Sequence, residues 1–359
     1  MNIKKNTKVY IACPYKYISG GPETLHQLVD KLRNKGYDAY IYYINFKNKE
    51  KEELPEKFKK YNVKIAKIIE DSEDNVLVVP ETNTEIIYRY KNIRKSIWWL
   101  SVDFYWKSSG RELAKWSPIF KKVNIDNVLG KSIHNILSVY KTIKYKKFKM
   151  FDIINGKDKN KYFHMYNSEY GRKFLINHGI KEENMEYLCG PIDDKYIKDI
   201  NIIKNKKNIV AYNPKKGKEF SQILIEYVNS RNPEIEFVAI QNMSLEQVEN
   251  LLEQSKVYMD FGYFPGPERI PREAVVSFCN IITSNLGSAK NKKDILIPDK
   301  FKFDLDTVDI NLVYETIIKL IYNYKEYVNE FECYRKKVYE QKNLFSKNIE
   351  VIFSKNNER

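Results

Sequence analysis

The segment with the most specific chemistry runs from residue 266 to residue 274 and reads Gly-Pro-Glu-Arg-Ile-Pro-Arg-Glu-Ala. Proline is tolerated in the first turn of a helix but not deep inside one, so Pro271 predicts a helix that begins one residue earlier. Arg269, Arg272 and Glu273 then lie at the helix start, where free backbone amides and guanidinium groups can hold phosphate oxygens. Glu273 could also accept hydrogen bonds from two ribose hydroxyls. The alternative is a glutamate cap with two solvated arginines.

A second basic cluster directly follows the apolar run that begins at Ile209. It contains Asn213, Lys215 and Lys216, followed by a glycine and a third lysine. Lysines around a glycine turn at the carboxyl end of a strand suit a diphosphate. The alternative is one more lysine-rich loop in a lysine-rich chain.

Two weaker candidates lie nearer the amino terminus. Gly20 and Gly21 form a turn between an apolar run and an amphipathic stretch, where a backbone without side chains can approach a ligand closely. The turn is neither a complete dinucleotide fingerprint nor a P-loop, and a plain tight turn is the alternative. Asp103 follows another predicted strand and is a candidate to line the part of the site that would hold a second substrate. The alternative is a turn or cap residue.

Strands and helices alternate along the chain and position these candidates. The run Val9–Cys13, an amphipathic stretch that ends at Gly36 and the run Ala39–Ile44 predict one strand–helix–strand unit with parallel strands. Further strands are predicted at residues 76–79, 96–101, 162–167, 185–188, 236–240, 257–261 and 280–283, and one more is predicted to begin at residue 209. Helices are predicted at residues 82–90, 169–177, 218–230, 245–254 and 268–278, and from residue 311 nearly to the end.

A lysine- and asparagine-rich segment at residues 190–207 predicts a linker between two such series. The predicted fold class is therefore α/β, with two Rossmann-like domains that face a central cleft and helices at the carboxyl terminus. The predicted domains are residues 1–190 and 191–335, and a final helix over 336–359 packs back towards the first domain. Ligands of such sheets bind at the carboxyl ends of the strands.

Composition narrows the class of protein. The 359 residues carry a formal net charge of +15, mostly from lysine spread along the chain, which is typical of either a background bias or a basic functional face. The densest basic run, Lys141–Lys149, is typical either of a helix face that contacts anionic lipid or of a solvated surface. No nucleic-acid-binding module is recognisable, so nucleic acid is not an expected partner.

Four widely spaced cysteines without a Cys-x-x-Cys pair predict neither a disulfide framework nor a zinc site, which favours a reducing compartment. The first apolar run is too short for a signal peptide, and no apolar stretch approaches the length of a membrane span. The expected location is cytoplasmic, with contact at the membrane periphery through the basic run as an option. Asp304 and Asp306 are interpreted as loop residues, and His134 and His164 as structural, so no metal is expected.

Several segments resemble, in the same order along the chain, those of the retaining GT-B glycosyltransferases with a "glycosyl transferases group 1" carboxyl-terminal domain. The matching segments span most of the chain and are residues 20–36, 98–103, 167–180, 188–193 and 258–286. The family's donor motif has two glutamates separated by seven residues. Glu273 aligns with the second glutamate, which implies contact with ribose, whereas Pro265 stands in the place of the first.

The resemblance also assigns provisional roles around that motif. Glu268 is the nearest earlier glutamate, and with Asp103 it is a candidate catalytic residue. Lys215 or Lys216 matches the family's phosphate-binding basic residue, and spacing does not decide between them. Gly20 and Gly21 resemble the family's acceptor-side glycine loop and are candidates for contact with the donor nucleotide.

The resemblance implies an enzyme that moves a sugar from a nucleoside-diphosphate sugar to a glycan, lipid-linked or protein acceptor, in surface polysaccharide or glycoconjugate assembly. The nucleotide sugar is then a co-substrate, with no separate cofactor and no metal, and the family's outcome is retention of anomeric configuration. Two alternatives stay open. One is a GT-B sugar-nucleotide epimerase, and the other is a two-lobe small-ligand binding protein without catalysis.

Overall fold

The computed structural model describes residues 1, 3–15, 17, 19–44, 53–108 and 152–354, with several single positions between 132 and 143. The chain divides into two compact units. Unit 1 comprises Met1–Asn167, Gly171–Gly190 and Phe345–Arg359, and unit 2 comprises Ser168–Tyr170 and Pro191–Leu344.

Unit 1 is built on a six-stranded parallel sheet in the order β2-β1-β3-β4-β5-β6. Its strands are β1 (Lys8–Pro14), β2 (Asp38–Ile44), β3 (Val76–Pro80), β4 (Arg94–Trp99), β5 (Phe163–Tyr166) and β6 (Met185–Tyr187). Its helices are α1 (Gly20–Asn34), α2 (Val102–Ser108), α3 (Asp152–Asn155) and α4 (Glu169–Asn177), the last beginning in the short part of the chain assigned to unit 2. Every residue of β3 is buried, as expected for a parallel strand covered on both faces.

The core of unit 1 forms where α1 and the end of the chain pack on this sheet. Leu25, Leu28 and Leu32 of α1 are fully buried against the strands, at the helical spacing that the sequence predicted. The indole of Trp98 stacks on Phe345 with the ring centroids 6.4 Å apart. Phe345, Ile349, Ile352 and Phe353, near the end of the chain, are therefore part of the core of unit 1.

Unit 2 contains a five-stranded parallel sheet in the order β11-β10-β9-β7-β8. Its strands are β7 (Lys207–Tyr212), β8 (Glu236–Ala239), β9 (Ser255–Asp260), β10 (Asn280–Ser284) and β11 (Lys302–Phe303). The helices that follow α4 are α5 (Lys218–Asn229), α6 (Leu245–Gln254), α7 (Ile270–Val276), α8 (Ile310–Tyr322), α9 (Tyr324–Tyr327) and α10 (Glu332–Ile352). Ser244 and Gln247 form a reciprocal capping box that fixes the start of α6.

In both sheets the strand order reverses beside the first strand, between β1 and β3 in unit 1 and between β7 and β9 in unit 2. Loops that leave such adjacent strands run in opposite directions and open a crevice at the carboxyl edge of the sheet. The α/β fold class with two parallel sheets is therefore confirmed, and each sheet has one position where a ligand is expected.

Two local predictions need correction, and one strand was not predicted. The helix predicted at residues 82–90 is a 3-10 helix, Glu81–Arg89, with non-helical backbone angles at Asn83. The long helical tail is interrupted after Tyr322 and again by the 3-10 turn Val328–Phe331. The two-residue edge strand β11 was not predicted, because a strand of that length leaves no periodic signal.

Near its end, the segment predicted as a linker contains a half-buried lysine, Lys206. The ammonium of Lys206 donates hydrogen bonds to the carbonyl oxygens of Leu252, Ser255 and Ser277, at 2.7, 2.8 and 2.5 Å. Burial lowers the pKa of this lysine from its ordinary value. Its three carbonyl contacts tie the start of β7 to the end of α6, to the first residue of β9 and to the residue after α7.

Candidate functional site

A buried carboxylate lies at the strand-order reversal of unit 2. Asp260, the last residue of β9, accepts hydrogen bonds from the Gly262 amide at 3.0 Å, from the Tyr258 hydroxyl at 3.0 Å and from the Asn213 side chain at 3.2 Å. Burial raises the pKa of Asp260 above its ordinary value, against the opposing effect of Lys216. Asp260 therefore joins the loop after β7 to the loop after β9.

The structure distinguishes Lys215 from Lys216, which the sequence left as equal candidates for the phosphate-binding residue. The Lys216 ammonium is buried, lies 3.2 Å from the nearer carboxylate oxygen of Glu268 and stands 4.8 Å from the centre of the Phe264 ring. Within the described residues it makes this ion pair but no well-directed hydrogen bond. Lys215 is exposed, and its backbone amide donates to the side chain of Asn213 at 3.1 Å.

Glycine at position 262 makes room for the Lys216 side chain. A Cβ atom placed on Gly262 would lie 2.2 Å from the Lys216 side chain, far inside van der Waals contact. The lysine stem therefore crosses the backbone of the loop after β9, and this crossing brings its ammonium towards Glu268. No sequence motif predicted the contact between Lys216 and Gly262, because it depends on how the loops after two different strands pack together.

Glu268 has an unusual backbone conformation. Its φ angle is +40°, in the left-handed region that non-glycine residues adopt at a cost of about 1–3 kcal/mol. The Arg272 side chain donates to the Glu268 carbonyl oxygen at 2.7 Å and holds the turn. Burial raises the pKa of the Glu268 carboxyl, while the nearby Lys216 opposes the rise.

Helix α7 begins at Ile270 with a proline in its first turn, as predicted. Glu273 is buried and pairs with Arg269, one turn away. Arg272 is also buried, and besides the Glu268 carbonyl it bonds the side chain of Gln341 at 2.9 Å. Both predicted phosphate-binding arginines thus have protein partners in this structure, and Arg272 supports the backbone of the turn.

Gly217→Ala is expected to destabilise unit 2 by about 2 kcal/mol. Gly217 has a φ angle of +59°, and an added Cβ would lie 2.6 Å from the carbonyl oxygen of Phe261. Calorimetric unfolding measures the loss. The matched control is Lys218→Ala at the adjacent exposed helix start, which should change stability by less than about 0.5 kcal/mol. Equal stability of the two variants would contradict the assigned backbone geometry.

Unit 1 has a cavity of about 480 Å³ at its own strand-order reversal. Gly21, Ser101 and Phe104 are among the residues that line it. Gly20 is the first residue of α1, next to this wall, and Asp103 lies in the first turn of α2 between two lining residues without being one itself. The sequence-predicted residues of unit 1 are thus grouped at this edge, and those of unit 2 around Lys216 and α7.

Glu81 is a cavity residue that sequence reasoning missed. It follows β3, is buried, and accepts a hydrogen bond from the Leu100 amide at 2.9 Å. Burial raises its pKa to about 8. Its position directly after a continuous apolar strand was the available signal.

Two histidines of unit 1 are structural. His164 lies between the Trp99 indole nitrogen at 3.0 Å and the Lys159 carbonyl oxygen at 2.9 Å, which confirms its interpretation as a structural residue. His26 contacts the Pro22 carbonyl oxygen at 2.7 Å and the Tyr43 hydroxyl at 2.8 Å. Burial lowers the pKa of both imidazoles to about 4. His134 lies outside the described residues.

Three further predictions concern metals, membranes and cysteines. Among the described residues, no group of histidine, cysteine, aspartate and glutamate side chains is arranged to hold a metal ion. No helix in that part of the chain combines the length and apolarity needed to cross a bilayer. Of the basic run Lys141–Lys149 only Ile143 is described, so its predicted lipid contact lies outside the structure. None of the four cysteines, all of which lie in the described part of the chain, forms a disulfide bond.

No family profile and no curated protein sequence matches the chain. Solved structures do match its fold. A glycosyltransferase from Rickettsia africae superposes over 97% of this chain and 98% of its own, with a TM-score of 0.57 at 12% identity. Anabaena Alr3699/HepE in complex with UDP-glucose superposes over 96% of this chain and 99% of its own, with a TM-score of 0.56 at 10% identity.

A third similar structure is a mutant of S. aureus TarM in complex with fondaparinux, alpha-GlcNAc-glycerol and UDP. It matches 78% of this chain with a TM-score of 0.51 at 15% identity, and the chain spans only 55% of the TarM length. At these identities the likeness defines the fold. Two parallel α/β units and these structural neighbours together give the chain the fold of the GT-B glycosyltransferases.

Proposed function

We propose that unit 2 binds the nucleoside diphosphate of a sugar donor and that the protein transfers the sugar to an acceptor. The observation that carries this proposal is the buried Lys216 ammonium at the strand-order reversal, which has one ion pair and no directed hydrogen bond among the described residues. A cation at this edge of a parallel sheet suits a phosphorylated ligand. The structural neighbours named above support the choice of a nucleotide sugar, since two of them contain UDP or UDP-glucose.

Some residues of the site are proposed to contact the ligand, and others to hold those residues in place. Lys216 is proposed to contact the diphosphate, and the loop with Asn213 and Lys215 to contribute backbone amides. Glu273 is proposed to contact the ribose, by its resemblance to the second glutamate of the family motif, with Arg269 orienting the carboxylate. Asp260 touches no ligand in this scheme, because its role is to hold the two loops together.

The proposed chemistry is electrostatic. When the sugar leaves, negative charge develops on the diphosphate, and a positioned ammonium in a partly dehydrated site stabilises it. Retention of configuration, the absence of a metal and a role in surface polysaccharide or glycoconjugate assembly are proposed from the resemblance. The acceptor, whether glycan, lipid-linked or protein, is proposed to contact unit 1 near Gly20, Gly21 and Asp103. The basic run Lys141–Lys149 is proposed to touch anionic lipid.

A thermal-unfolding screen with UDP, ADP, GDP and CDP tests ligand binding before any acceptor is known. One of them, at a hundred times its dissociation constant, should raise the unfolding temperature of unit 2 by roughly 5–10 °C, because a ligand that binds only the folded state stabilises it by mass action. Nucleosides without phosphates should shift it far less. The proposal fails if none of the diphosphates exceeds its nucleoside.

A further inference from the structure

The charges around Lys216 do not balance. Two carboxylates, Asp260 and Glu268, act on this one ammonium. Arg272 also acts on Glu268 at longer range, but its guanidinium nitrogens are bonded to a backbone carbonyl and to Gln341. A diphosphate that approaches Lys216 would therefore meet two negative side chains that already share its cation.

The two carboxylates differ in how firmly they are held. Asp260 is buried and accepts three hydrogen bonds, so moving it would break contacts to both loops. The Glu268 side chain is a quarter exposed, and its ion pair with Lys216 is its one close polar contact among the described residues. Its backbone lies in the strained left-handed region. Glu268 is the partner that can leave.

We propose that Glu268 is a built-in competitor for the diphosphate: its carboxylate pairs with Lys216, loses this partner to the ligand phosphates and takes up a proton as they bind. This inference rests on the proposed function. It gives Glu268 a role opposite to that of a residue that assists binding. The ion pair neutralises the buried ammonium until ligand phosphates replace the carboxylate.

Proton uptake follows from the same arrangement. The groups that face the Glu268 carboxyl are Lys216 from the loop after β7, Asp260 and Tyr258 from β9, and Arg272 from α7. A bound diphosphate adds negative charge and raises the pKa of Glu268 further. A group whose pKa rises on binding takes up protons, so its contribution to affinity grows as the pH falls towards that pKa.

Calorimetric titration of the whole protein with UDP tests whether the Glu268 carboxylate competes with the diphosphate for Lys216. Glu268→Gln keeps the shape of the side chain but removes its charge. It should tighten UDP binding at pH 7.5 by roughly fivefold, an effect between those of removing a surface ion pair and a buried ion pair. Glu268→Gly also removes the charge, and glycine suits the positive φ angle, so this variant should tighten UDP binding too. It keeps the test valid if Glu268→Gln does not fold. The matched control is Glu330→Gln, which removes a carboxylate that pairs with Lys300 and should change affinity less than about twofold.

Titrations in buffers of different ionisation enthalpy at pH 6 give the second readout. Wild-type protein should take up more protons on binding than Glu268→Gln, and the UDP phosphate, whose own pKa is about 6, contributes equally to both. Weaker or unchanged UDP binding in both Glu268 variants, with wild-type binding intact, would overturn the competitor and leave the proposed function standing. Absence of UDP binding to the wild type and to both variants would overturn both.

Discussion

Lys216→Met lowers the affinity for UDP by roughly 10- to 100-fold, the range expected when one hydrogen bond to a charged group is lost. The buried ammonium is the cation at the strand-order reversal, and its loss leaves Asp260 and Glu268 without their shared counter-charge. Both carboxylates then repel the diphosphate. The expected loss is therefore near the upper end of that range.

Lys215→Met is the matched control, because the two lysines are neighbours in sequence and differ in placement. Lys215 is exposed, so its charge is screened by solvent and its removal should weaken UDP binding less than about threefold. Calorimetric titration of both variants measures the difference. Equal losses, or a larger loss in Lys215→Met, would show that the wrong lysine has been assigned to the phosphates.

Acid should destabilise unit 1 through His26 and His164. Both imidazoles have a pKa near 6.5 in the unfolded chain and about 4 in the folded protein. The unfolded state therefore binds protons first as the pH falls, and the free energy of unfolding decreases between pH 6.5 and pH 4. At pH 5 each histidine should lower the stability by about 2 kcal/mol relative to pH 8.

Denaturant unfolding at pH 8 and pH 5, followed by tryptophan fluorescence, measures this effect, since all four tryptophans lie within residues 1–167. His26→Gln should reduce the difference in stability between the two pH values by about 2 kcal/mol. Tyr43→Phe removes the hydroxyl partner of His26 but keeps the imidazole buried, so its pH difference should stay close to that of the wild type. An unchanged pH difference in His26→Gln would exclude the histidine as its source.

Most of the elements were predictable because their signals are local. The helices Glu169–Asn177 and Leu245–Gln254 have the predicted bounds, and strands such as Val76–Pro80 lie within a residue or two of the prediction. Parallel strands are continuous apolar runs, and a capping residue or a glycine marks the helix ends. These features depend on neighbouring residues and need no knowledge of the strand order.

The site was only partly predictable because it depends on the strand order. The sequence placed Asn213 and Lys216 in a loop after one strand and Glu268 in a loop after another, but not the pairing of β7 with β9 that brings these loops together. In the sequence, Asp260 is only the end of a strand, and its importance follows from the three hydrogen-bond donors that the structure brings to it. Arg269 and Arg272 were predicted from residue type as phosphate ligands, whereas tertiary contacts give both of them protein partners.

The proposed function requires the protein to cleave the bond between a sugar and a nucleoside diphosphate. Incubation with UDP-glucose, UDP-GlcNAc, GDP-mannose and dTDP-rhamnose, followed by phosphorus NMR, tests it most directly, because transfer to water releases the nucleoside diphosphate even without the acceptor. We expect slow release from at least one donor by the wild type and much slower release by Lys216→Met. Conversion of a donor to its epimer, or equal rates in the two proteins, would contradict it, as would donors that bind the wild type but all stay intact.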